Sequence, residues 1–149
     1  MNLDFLDDLV EFAKTASIVI KVAVKALTTL ASLFPAVAIM VRDGVTKWFD
    51  IFDTKKAEGV DESVIEQMKP VAEGDVIASV MEEFHGSRSP ISKSIVKSMI
   101  GLYVKILKAM RYGEDEGRNE QAKLKGYMST SEDVINAEKT HAGFKLFGA

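Results

Sequence analysis

Apolar residues recur at three- and four-residue intervals along almost the whole chain, and this helical spacing constrains the fold more than any other feature. Strict two-residue alternation, which marks a half-buried strand, is scarce. The extreme case lies between residues 15 and 41, where an otherwise apolar helix carries one narrow polar stripe. Such a helix belongs at the centre of a bundle or in an interface, and the central position is favoured. The stripe consists of Lys14, Ser17, Lys21, Lys25, Thr28 and Ser32.

The pattern predicts an all-α helical bundle whose first half contains two helices. The first is a long apolar helix that runs from the first few residues to Phe34. Pro35 kinks or breaks it, because proline removes a helix hydrogen bond. A second helix is predicted to continue to Phe52, and the polar composition of residues 53–59 predicts a loop.

Capping residues and helix breakers divide the next segment into two short helices. Asp61 is placed to cap one that Pro70 stops, and Asp75 to cap another that Gly86 ends. A second long helix is predicted over residues 89–112. Its start is signalled by Ser89 followed by a proline, and its end by a glycine at residue 113.

Length and composition indicate one domain over residues 1–149, with residues 113–149 as a polar C-terminal extension. Within that extension, Ser129 and Glu132 form a capping box for a last short helix to about His141. The chain has no cysteine, so disulfides and thiolate metal sites are excluded.

Neither a secretory signal nor a transmembrane span is expected near the N-terminus. Four acids precede the first base, whereas a secretory signal needs a positive start. The longest uncharged stretch, residues 26–41, has 16 residues and contains a proline. A span needs about 20 apolar residues.

Charge is segregated although the net charge is only −3. No acid lies between Glu11 and Asp43 or between Glu83 and Glu114. Two interpretations stay open: ordinary solvated faces, or basic faces that meet an acidic subunit, anionic lipid or phosphate. The candidate interaction residues are Lys14, Lys21, Lys25, Trp48, Phe49, Lys93, Lys97, Lys105, Lys108, Arg111, Phe144 and Phe147.

One pattern has the spacing of a metal site. Both histidines occur as Glu-x-x-His, at His85 and His141, which is the spacing that ferritin-like di-iron bundles use. The long helix over residues 89–112 contains no acid to complete such a site, and both histidines stand beside predicted helix ends. We therefore expect no metal, no cofactor and no enzymatic activity.

The Ala/Val-rich segment AVKALTTLASLFPAVAIMV, residues 23–41, is followed by a polar, helical second half. This layout resembles that of small all-helical virion proteins of bacteriophages, such as the cystovirus type of nucleocapsid shell protein. The resemblance implies a helical bundle that tiles a shell between a membrane and an inner capsid. It assigns no role to any residue.

Three functions follow, in order of preference. The first is a structural assembly protein, a viral capsid or nucleocapsid shell component in the virion, whose copies or fellow virion proteins associate through apolar helices. The second is a membrane-active or membrane-peripheral protein with residues 15–52 in the interface and Trp48 and Phe49 at the headgroup level. The third is a ferritin-like metal-dependent enzyme. Direct nucleic-acid binding is not expected, since neither arginine clusters nor interleaved aromatics occur.

Overall fold

The computed structural model describes residues 2–87 and 91–114. Within these residues the chain forms α-helices and no strand, so the predicted all-α helical bundle is confirmed. The helices are α1 (Phe5–Ala13), α2 (Ile18–Leu33), α3 (Pro35–Ala57), α4 (Glu62–Glu83) and α5 (Lys93–Tyr112).

The helices pack around a central pair. α3 and α5 contact each other, and both α2 and α4 pack against this pair. α2 and α4 do not pack substantially against each other, so they lie on opposite sides of the bundle. α1 packs on α2. This arrangement decides which helix surfaces remain open to solvent.

The most deeply buried helix is α5, not the apolar N-terminal helix that the sequence favours for the centre. Twelve of its 20 residues are buried, against 6 of 16 in α2. The physical reason is how much of each surface is covered: α2, α3 and α4 cover α5, whereas the polar stripe of α2 faces outward. The expectation that the first helix is central is therefore wrong.

The first predicted helix is interrupted before it reaches Pro35. α1 ends at Ala13, and α2 begins after Ser17, whose hydroxyl accepts a hydrogen bond from Ile20 N at 3.4 Å. A serine in this position caps a new helix more favourably than it continues an old one. The break at Pro35 is confirmed, because α3 begins with this proline in its first turn.

α3 runs to Ala57 instead of ending at Phe52, and most of the loop predicted over residues 53–59 is helical. A polar composition alone does not stop a helix, and the lysines of its last turn favour it. The turn comes at Gly59, where the backbone has a positive φ of 85° that few other residues adopt.

α4 is continuous through Pro70, so the prediction of two short helices is wrong. Asp61 caps it as expected, accepting a hydrogen bond from Ser63 N at 3.2 Å. The predicted cap at Asp75 does not exist, since this residue lies inside α4. Buried apolar residues on both sides of the proline, Ile65 and Val76, tie the helix to its neighbours and offset the lost hydrogen bond.

The start of α5 differs from the sequence prediction, and its end agrees. Ser92 caps the helix, accepting a hydrogen bond from Ile95 N at 3.2 Å. The signal at Ser89 and Pro90 lies outside the described residues. Gly113 ends the helix as predicted, with a positive φ of 91°. The helix predicted after Ser129 also lies outside the described residues.

Candidate functional site

The basic residues of α5 do not form one solvated face. Lys93 and Lys97 are exposed near its first turn. Lys105, by contrast, is only 6% exposed, and Lys108 is half-buried beside it. Arg111 reaches carboxylates of α3. Arg111 therefore meets acids of its own chain and Lys105 is withdrawn from solvent, so the interpretation of this face as one solvated surface does not hold for all five residues.

Arg111 forms a two-acid clamp between α5 and α3. Its guanidinium lies 2.9 Å from Asp50 and 3.1 Å from Asp53, and it stacks over Phe49 with 5.8 Å from Cζ to the ring centroid. The Tyr112 hydroxyl donates a hydrogen bond to Asp53 Oδ1, and its ring stacks on Phe49. The clamp fixes the end of α5 against the second half of α3.

The clamp makes the titration of Tyr112 a reporter of its integrity. Partial burial and the hydrogen bond to Asp53 raise the pKa of Tyr112 to about 12 from its ordinary 10.0. We expect Asp53→Asn to bring this pKa down toward 10.0, measured by the ultraviolet absorbance of tyrosinate. Tyr112→Phe should remove the same step from the titration. An unchanged high-pH step in Asp53→Asn would contradict the clamp.

A cavity of about 500 Å³ opens between α3, α4 and α5. Its floor is apolar and aromatic, and is built from the buried inner faces of three helices. The floor residues include Trp48, Phe49, Phe52, Ile65, Ile100 and Val104. The volume falls within the range of about 300–1,000 Å³ that small-molecule sites occupy.

Charged residues line this cavity at different depths. On the α4 side, Glu62 and Glu66 are exposed, and Glu66 pairs with Lys69 at 2.5 Å. On the α5 side, the wall carries the buried Lys105 and the half-buried Lys108. The deepest charge in the cavity wall is therefore positive, while the exposed charges at the mouth are of both signs, with Lys56 beside the two glutamates.

This cavity is not predicted by the helical spacing of the sequence. Three successive helices build it, and the spacing within any one of them predicts only a core face. One signal was present: Gly101 is a glycine inside a long apolar helix, which suggests a close approach or a gap.

Trp48 and Phe49, expected on an interaction face at the headgroup level of a membrane, are buried in the core instead. Their rings lie 6.3 Å apart with planes 19° from parallel. The correction follows from helical geometry, because both side chains fall on the side of α3 that faces the cavity and the other helices. The two phenylalanines at 144 and 147 lie outside the described residues.

The polar stripe of α2 is open to solvent, as the spacing predicts. Lys21, Lys25 and Ser32 are exposed, and Ile18 on the same side of the helix is 73% exposed. α2 contains no acid. Lys14, just before α2, is exposed and pairs with Glu11 at 2.8 Å. We call Ile18, Lys21, Lys25 and Ser32 the α2 outer face.

The opposite side of the bundle presents an acidic surface on α4. This helix contains six acids and one lysine. Val64, Val71, Asp75 and Glu82 follow at steps of 7, 4 and 7, so they share one side of the helix. All four are exposed, Val71 to 64% and Val64 to 45%. We call these four residues the α4 outer face.

A carboxylate from beyond α5 binds the start of α2. The Ser17 N–H donates to both oxygens of Glu114, at 2.9 and 3.2 Å. The first turn of α2 has no acid of its own, so Glu114 supplies the negative charge that a helix N-terminus favours. Hydrogen bonds from Ser17, with a smaller contribution from Lys105, lower the pKa of Glu114 below 4.5.

Replacing this carboxylate should make a pH-dependent difference in stability. Because the folded pKa lies below the ordinary 4.5, the contribution is complete above that pH and is lost as the pH falls through the lowered value. We expect Glu114→Gln to lower the free energy of unfolding by about 0.3–1 kcal/mol at pH 7. Urea unfolding at a series of pH values measures this. A difference that stays constant into strong acid would contradict the contact.

The described residues contain no group of three or more histidines and acids placed to hold a metal ion. His85 is exposed just after α4, and His141 lies outside the described residues. No helix in residues 2–87 or 91–114 is both long and apolar enough to cross a bilayer. The chain matches no protein-family model, no curated protein and no solved structure.

Proposed function

We propose that this chain is a structural assembly protein whose copies join head to tail, the α2 outer face of one copy against the α4 outer face of the next. One observation carries the proposal: the bundle places an acid-free basic face and an acidic face on opposite sides. Contacts between two different faces are heterologous, and they generate rings or extended arrays rather than closed dimers.

The two faces complement each other in more than charge. Each has exposed apolar residues beside its charges, Ile18 on one and Val64 and Val71 on the other. Apolar contact supplies affinity, while opposite charges steer the encounter and disfavour the pairing of like faces. A layer of a virion shell is the setting that we propose for this assembly, in keeping with the resemblance in layout.

The α2 outer face also supports a second candidate, peripheral attachment to an anionic membrane. An exposed isoleucine beside Lys21 and Lys25 is a small version of the basic and apolar surface that such attachment uses. Flotation with anionic vesicles tests this candidate. A protein that stays at the bottom of the gradient would eliminate it.

Charge reversal on each face separately provides the test of assembly. Lys21→Glu/Lys25→Glu makes both faces acidic, and Asp75→Lys/Glu82→Lys makes both basic. We expect wild-type protein to grow in mass with concentration, and each double variant alone to remain monomeric. An equimolar mixture of the two variants should assemble again, because each reversed face then meets its opposite. Light scattering measures all four samples.

The matched control is Lys93→Glu/Lys97→Glu, which changes the net charge equally but lies at the exposed start of α5. It should assemble as the wild type does. A wild-type protein that is strictly monomeric at every concentration would contradict the proposal. A mixture of the two reversed variants that stays monomeric would contradict the head-to-tail arrangement, since only that arrangement predicts the restoration.

A further inference from the structure

The cavity between α3, α4 and α5 has three properties that suit a ligand with an apolar part and a charged part. It has a volume of about 500 Å³, an aromatic and aliphatic floor, and a buried lysine in its wall. The space is open to solvent at its mouth, so a ligand that covers the apolar part of its floor would remove that surface from water. The residues that line the cavity include none from the α2 outer face or the α4 outer face.

We propose that the cavity binds a long-chain carboxylate, with the hydrocarbon chain on the aromatic floor and the carboxylate at Lys105. This site is independent of the head-to-tail assembly. Trp48, Phe49, Phe52, Ile100 and Val104 supply the apolar surface that a hydrocarbon chain needs.

The charge of the ligand follows from the depth of the charges in the wall. Lys105 is 6% exposed and already lies near one carboxylate, Glu114, whose pKa it helps to lower. Anions stabilise a buried ammonium, and the carboxylate of a ligand would be a second one. An ammonium has three donors, so Lys105 can bind a carboxylate while keeping a partner within the protein. Lys108, one helical turn further along α5, lies on the same wall.

The outer charges favour a single negative charge on the ligand over several. Four lysines line the cavity, at positions 56, 69, 105 and 108, and four acids line it at 53, 62, 66 and 73. Asp53 is engaged by Arg111 and Tyr112, and Glu66 by Lys69. The remaining glutamates of α4 at the mouth would repel a phosphate dianion. A monoanion with a long apolar chain suits both the equal numbers of lysines and acids and the apolar floor.

The protein carries its own probe, since Trp48 is the only tryptophan in the chain and lies on the cavity floor. Dibrominated stearate quenches tryptophan fluorescence when its bromine atoms come into contact with the ring. We expect saturable quenching of the full-length protein by this probe below its micelle concentration, with one probe bound per chain. The corresponding brominated alcohol should bind more weakly by about tenfold or more, because it lacks the charge.

Two variants and one control locate the site. Lys105→Met keeps the length of the side chain and removes the ammonium, so it should weaken binding of the carboxylate by about tenfold and leave the alcohol unaffected. Val104→Trp fills the cavity and should abolish binding of both probes, detected by displacement of radiolabelled stearate. Lys97→Met removes an exposed lysine of the same helix and should bind as the wild type does.

Three outcomes would overturn the proposal. They are the absence of saturable quenching in the wild type, equal affinity for the carboxylate and the alcohol, and unaltered binding of both probes by Val104→Trp. If Lys105→Met does not fold, as judged by circular dichroism, Lys105→Gln replaces it. Equal affinity of that folded variant and the wild type for the carboxylate would likewise overturn the assignment of the anion to Lys105.

Discussion

We expect Ile106→Ala to lower the free energy of unfolding by about 2–5 kcal/mol, the largest effect of any substitution considered for this protein. Ile106 is 0% exposed and lies in α5, the helix that contacts α2, α3 and α4 at once. Removing three carbon atoms there costs both their burial and the space that they leave, because three surrounding helices cannot all move inward. Urea unfolding followed by far-ultraviolet circular dichroism measures the change.

The matched control is Ile18→Ala, the same substitution at a residue that is 73% exposed on the α2 outer face. It should change the free energy of unfolding by about 0.5 kcal/mol or less. Equal losses for the two variants would contradict the central position of α5. Measurements at low protein concentration keep the second variant free of any contribution from assembly.

The sequence predicted the class of fold and the helix boundaries that depend on local chemistry. Pro35 begins α3, Asp61 caps α4 and Gly113 ends α5, each because of a backbone or capping property of that one residue. Such signals act within one turn of helix, so they can be read without knowing what packs against the segment.

Prediction from the sequence was wrong where packing between helices overrides a local signal. Pro70 lies inside a continuous α4, because contacts with α3 and α5 on both sides of it compensate for the lost hydrogen bond. The centre of the bundle was misplaced for the same reason. α2 and α5 both look like apolar helices with a basic stripe, and each contacts three other helices. They differ in the stripe itself, because Lys21 and Lys25 of α2 are exposed whereas Lys105 of α5 is buried.

The α2 outer face and the cavity also differ in how far they could be predicted from the sequence. Spacing alone predicted that Lys21 and Lys25 lie on one side of a helix, and both residues are exposed. The cavity could not be predicted, since it needs the relative positions of three helices. Lys105 shows the difference most clearly, because its position on α5 places it among surface lysines while the fold buries it.

The contact between Gly44 and Val76 provides the sharpest test of how α3 packs on α4. A Cβ atom built on Gly44 would lie 2.7 Å from Val76 Cγ2, closer than two carbon atoms can approach, and the valine side chain is too short and branched to swing away. Gly44→Ala removes a glycine from a helix, which by itself stabilises by about 1 kcal/mol. The overlap costs about 1–3 kcal/mol, so we expect a net loss.

A double-mutant cycle separates these two effects. Val76→Ala alone should destabilise, because it empties part of a buried contact, but in its presence Gly44→Ala should become stabilising. The matched control is Gly74→Ala in α4, where no atom lies within 4 Å of the new Cβ and the expected change is a gain of about 0.4–1 kcal/mol. Chemical unfolding of the five proteins decides the question. Gly44→Ala and Gly74→Ala changing stability in the same favourable direction would mean that α3 and α4 are not in close contact at this point.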